Sequence, residues 1–109
     1  MFPKGNLMAG LLQQAKQVQE KIEELQGELA ALRIEGHAGG GLVTAVVNGQ
    51  QELISLKIDP QLVNEDIEMV EDLVVAAIRQ AMERSKEESQ QMVNAVTGGM
   101  MSGLNLPGL

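Results

Sequence analysis

From Met8 to Leu32 the apolar residues fall at Met8, Leu11, Ala15, Val18, Ile22, Leu25, Leu29 and Leu32, in alternating steps of three and four. That spacing is a heptad seam and predicts a coiled-coil-like helix. At 1.5 Å per residue the helix is about 37 Å long. Gln, Glu and Lys fill its other faces, so the contact it offers is a narrow stripe. Gly27 lies outward, where it costs about 1 kcal/mol of helix propensity and obstructs nothing. Three strands at about 4.8 Å spacing are much narrower than this helix. Part of the seam therefore needs a partner beyond the sheet. The second helix of the same chain is one candidate; the matching seam of a second copy is the other, and the helix length favours the copy.

The period then changes. Ile34–Ala38 is a short candidate strand, and Gly39-Gly40-Gly41 is a turn that glycine makes at least cost. Leu42–Val47 is apolar on both faces and rich in β-branched residues, which predicts the buried strand. Asn48-Gly49 signals a hairpin. In Leu53–Ile58, Ile54, Leu56 and Ile58 point one way and Leu53, Ser55 and Lys57 the other. Asp59-Pro60 opens a short helix through Gln61–Val63, and Asn64 is the expected cap of a second long helix. Glu65, Asp66 and Glu68 suit the positive end of that helix. Its apolar spacing runs through Ile67, Val70, Val74, Ala77 and Ala81, then resumes at Met92 and Val96. Ser85 and Glu88 interrupt it, so residues 84–91 are expected to project into solvent. Gly98-Gly99 is the expected end. The reading is an α+β chain, one domain over residues 1–109, with residues 1–6 and 99–109 as mobile tails.

Composition narrows the chemistry. There is no Cys, Trp or Tyr, and Phe2 and His37 are single. Thiolate catalysis, disulfides and Cys-based metal sites are excluded, and stacking platforms for bases are absent. His37 has no Ser, Cys or acid placed by sequence to work with it, so a strand residue facing solvent is expected and no catalytic residue is assigned. Gly36–Gly41 lacks the Lys-Ser/Thr of a phosphate loop and is followed by a strand. Glu65, Asp66, Glu68, Glu71 and Asp72 lack calcium-loop spacing, so no metal or cofactor is expected. The seven methionines are read as core packing. No apolar run approaches the roughly 20 residues of a membrane span, and a soluble cytoplasmic protein is expected. The formal charge is −7, on its face the wrong sign for a polyanion ligand. Five acids of the 65–72 cluster carry much of it. The helix shafts are near neutral and rich in Gln and Asn.

Ala38-Gly39-Gly40-Gly41-Leu42-Val43-Thr44-Ala45-Val46-Val47-Asn48-Gly49 resembles the YbaB/EbfC family of bacterial nucleoid-associated proteins. The likeness continues through Ile58-Asp59-Pro60, the run from Glu68 to Ala77, and Gly98-Gly99-Met100, covering nearly the whole chain. It implies an α-β(3)-α fold in a tight homodimer with projecting helical arms. It also implies binding of duplex DNA with little sequence preference, in the nucleoid, without enzymatic activity or a small-molecule substrate. On that footing Lys16, Lys21, Arg79, Arg84 and Lys86 are the expected phosphate contacts, assisted by Gln13 and Gln17. Leu42, Val43, Val46, Val47, Leu25 and Leu29 are the expected dimer contacts. Thr44 stands where members often carry lysine. The alternative is an adaptor that uses the arms on a replication or recombination protein.

Overall fold

The computed structural model describes the backbone of residues 4–104 and the side chains of residues 7–98. Helix α1 (Lys4–Ala31) leads into strands β1 (Ile34–Ala38), β2 (Val43–Val47) and β3 (Leu53–Ile58). A 3-10 turn (Pro60–Asn64) and helix α2 (Ile67–Leu104) follow. The strands form an antiparallel meander in the order β1-β2-β3. The expected α-β(3)-α architecture is the one observed. Both helices outrun the sheet, α1 with 28 residues and α2 with 38. The molecule measures 81 × 27 × 16 Å.

The core lies where α2 crosses β1 and β2. Val43, Ala45 and Val47 of β2, Ile34 of β1, Leu62, and Ala77 and Ala81 of α2 are all buried. The crossing is close because Gly36 has no side chain. A Cβ there would lie 2.2 Å from the Ala77 carbonyl oxygen and 2.4 Å from the Ala81 amide nitrogen. Ala77 and Ala81, one turn apart on α2, present the smallest side chains to that strand.

Strand β3 receives no such cover. The register pairs Val43 with Ile58 and Ala45 with Leu56, so Leu56 and Ile58 continue the face that α2 covers on β2. All six residues of β3 are nevertheless exposed, including Leu53, Ile54, Leu56 and Ile58 at 39–45%.

The turns behave as expected in one case and differently in another. Gly39, Gly40 and Gly41 all have positive φ, from 65° to 95°, which glycine alone adopts freely. At Asn48-Gly49 a turn does form, but the positive φ falls on Gln51 (66°) rather than on the glycine. Gly49 is needed for space: a Cβ there would sit 2.8 Å from the Leu29 carbonyl oxygen.

Three expectations are corrected at the helix ends and in the middle of α2. Asp66, and not Asn64, caps α2; its carbonyl accepts from the Val70 amide at 3.1 Å and its side chain from the Glu68 amide at 3.4 Å. Asn64 closes the preceding 3-10 turn, which Asp59 caps through the Gln61 amide at 2.8 Å. Gly98 and Gly99 do not end α2, which continues to Leu104. A glycine stops a helix when it turns left-handed, and Gly98 does not. Residues 99–104 are therefore helical rather than tail. At the other end residues 4–6 belong to α1. Residues 1–3 and 105–109 of the expected tails lie outside the described residues. Finally, Ser85 is fully buried and Ser89 half-buried, so this stretch of α2 is docked rather than projecting.

Candidate nucleic-acid interface

The seam of α1 divides into two parts. Its C-terminal end is satisfied within the chain: Leu29 is buried under Gly49, and Leu25 and Leu32 are half-buried near Ala95, Val96 and Met92 of α2. Further along, Met8, Leu11, Val18 and Ile22 stay 39–60% exposed. On the opposite side of the same helix, Gln13, Lys16, Gln17 and Glu20 follow the three-and-four spacing that puts them on one face. They line a shallow groove with Ala9 and Leu12. The outer surface of this arm is therefore a polar strip of amides with one lysine, set back to back with the apolar seam.

Lys21 lies to one side of that strip, in a shallow groove between the helices with Glu24, Leu25, Glu28, Ala95 and Val96. On α2, Arg79 and Lys86 are exposed and seven residues apart, so they share one stripe. Arg84 is on the other flank. Its guanidinium donates to the Glu35 carbonyl oxygen at 3.0 Å and lines a depression with Arg33, His37, Glu87 and Glu88. The seven residues expected at a phosphate backbone thus form three groups: the outer face of α1, the outward stripe of α2, and the β1 edge.

His37 sits on the exposed β1 edge. Its backbone amide donates to Gln80 Oε1 at 2.7 Å, its Nδ1 lies 3.1 Å from Thr44 Oγ1, and its Nε2 lies 3.3 Å from Glu35 Oε2. Gln80 therefore satisfies an edge-strand donor that no strand pairs. Among the described residues there is no cluster of metal-ligating side chains, and no helix is long and apolar enough to cross a membrane.

Of the residues expected between subunits, Val43 and Val47 are fully buried in the chain's own core. Leu42 packs against that core and Leu29 against Gly49. Their apolar surface is largely taken up within the chain. Val46, on the face of the sheet away from α2, and Leu25 keep partial exposure. Sequence reasoning missed the polar junction at Asn48, Gln51, Ser85 and Ser89. Its signal was present, as two serines four apart on an otherwise apolar helix face.

Comparison with known proteins places this architecture. Residues 4–100 match the model of the YbaB/EbfC DNA-binding family. A nucleoid-associated protein of Syntrophobacter fumaroxidans is 46% identical over 100 residues, covering 90% of this chain and 91% of that one. One from Thermoanaerobacter pseudethanolicus is 43% identical over 109 residues, covering 99% and 95%. The crystal structure of the uncharacterized protein HP0035 from Helicobacter pylori superposes with a TM-score of 0.70 at 23% identity, covering 89% of this chain and 99% of that one, which shows the shared fold. A two-helix, three-strand chain matched over nearly its whole length is a member of the YbaB/EbfC DNA-binding family.

Proposed function

We propose that this chain binds duplex DNA in the bacterial nucleoid as a non-enzymatic homodimer with little sequence preference. The supporting observation is the pair of long helical arms whose outward faces carry Gln13, Lys16 and Gln17 on α1 and Arg79 and Lys86 on α2, all exposed. Amides and isolated cations bond phosphate oxygens and set position, but they read no base edge. The acidic cluster at residues 65–72 lies at the sheet end of α2, away from the far ends of the arms. A net charge of −7 therefore does not fall evenly on the proposed contact surface. Lys21 and the free donors of Arg84 extend the contact at the root of the arms.

The homodimer rests on uncovered apolar surface. Leu56, Ile58 and Ile54 on β3, with the exposed seam residues of α1, form two apolar strips that the chain leaves open. A second copy covering them contributes about 1 kcal/mol for each half-exposed side chain it buries. It also shields the free backbone edge of β3.

A titration of labelled random-sequence duplex at several salt concentrations tests the reading. Binding that weakens steeply as salt rises supports it, because each phosphate contact contributes about −0.9 to the log–log slope. Absence of binding at low salt removes it.

A further inference from the structure

We infer that the β2–β3 turn, Asn48 to Glu52, is an elbow that sets the angle between the two arms, with Ser85 and Ser89 as the residues that lock it. Direct packing between α1 and α2 is slight and confined to their sheet-proximal ends. Both helices are instead tied to the same four-residue turn. From α1, the Leu29 carbonyl accepts the Gly49 amide at 2.7 Å, and Gln26 accepts Gln50 Nε2 through its side chain at 3.0 Å. From α2, Ser85 Oγ donates to the Asn48 carbonyl at 2.6 Å and Ser89 Oγ donates to the Gly49 carbonyl at 2.7 Å. Gln51 Nε2 donates back to Ser85 Oγ at 2.8 Å.

The geometry is specific. Ser85 and Ser89 are one helical turn apart, so their hydroxyls meet two successive carbonyls of the turn. Gly49 thereby bonds α1 through its amide and α2 through its carbonyl. The turn itself is rigid: Asn48 is 2% exposed, and its Oδ1 accepts the amides of Gln50 and Glu52, each at 3.0 Å. Its Nδ2 donates to Glu52 Oε1 at 2.8 Å. A buried hydroxyl with both a donor and an acceptor partner fixes direction, whereas an apolar contact at the same place tolerates sliding. Ser85 and Ser89 are positioning residues. They touch no ligand, and through the turn they hold the span across which the arms grip.

The link to ligand binding rests on the DNA reading above, whereas the link to arm angle does not. The chain has no native cysteine, so labels are introduced cleanly at Gln14→Cys on α1 and Asn94→Cys on α2. Gln14 lies about 22 Å beyond Leu29 at 1.5 Å per residue, and a swing of about 15° displaces it by about 6 Å. Spin-label distances are recorded on full-length labelled chain diluted with unlabelled chain, with and without Ser89→Ala, and with Ser85→Ala where that variant keeps its helical circular dichroism. The expected result is a distance distribution shifted or widened by about that amount. Duplex affinity is expected to fall several-fold with the salt slope unchanged, because no phosphate contact is lost. An unchanged distribution overturns the elbow. A changed distribution with unchanged affinity overturns its part in binding. If the parent chain binds no duplex, the DNA reading fails, and the distance measurement still decides the elbow.

Discussion

Strands β2 and β3 are neighbours in one sheet and similarly apolar, yet their fates differ. On β2, Val43, Ala45 and Val47 are fully buried beneath α2, while on β3, Leu56 and Ile58, their neighbours on the same face, remain about 40% exposed. The cause is the line that α2 takes. Gly36 draws it over β1, and Gln80 and Arg84 bond the backbone of that strand at its outer edge. A helix held on that side cannot also cover β3. The seam of α1 repeats the contrast, satisfied near Leu29 and bare from Ile22 towards Met8. Apolar pattern alone therefore does not distinguish surface used within the chain from surface kept for another copy.

The covered side breaks most severely at Gly36. Gly36→Ala places a methyl group against helix backbone that has no rotamer to yield, and destabilises the fold by at least about 3 kcal/mol. Urea unfolding followed by circular dichroism measures this. On the open side, Leu56→Asp combined with Ile58→Asp puts two charges on the strip proposed to lie between subunits. Each uncompensated buried charge costs at least about 2 kcal/mol. Sedimentation equilibrium is expected to show single chains that keep their helix content, since neither residue belongs to the intrachain core.

Much of this was legible beforehand, and the failures share a cause. The seam of α1, the three strands and the Asp59-Pro60 stop are local signals, and the structure realises them. Asn64 was misplaced as the cap of α2 because three acids follow it, any of which suits a helix start; the 3-10 turn decides between them. Ser85 suggested solvent because a lone serine carries no sign of the carbonyl waiting for it 37 residues upstream. The site residues were chosen by charge. Their division into three surfaces depends on how α2 is rotated about its axis, and that is fixed by Gly36, Ala77 and Ala81 rather than by the cations.

Smaller effects sharpen the contrast between base and arms. Lys86→Glu and Lys16→Glu change only exposed arm surface. Each is expected to weaken duplex binding and lower the magnitude of the salt slope by about 1, with no change in thermal midpoint; fluorescence anisotropy across a salt series reads both. The smallest effect is a gain. Gly27 has nothing within 4 Å of the position a Cβ would take, so Gly27→Ala is expected to stabilise the fold by about 0.5–1 kcal/mol, seen as a higher urea midpoint.

The account joins one open strand to one ligand: two copies meet over β3 and present their arms to a duplex. Sedimentation equilibrium of the native chain with a short random-sequence duplex at low salt tests both at once. The predicted species holds two chains of 11.7 kDa each on one duplex. A duplex that sediments free, or that carries a single chain, contradicts it.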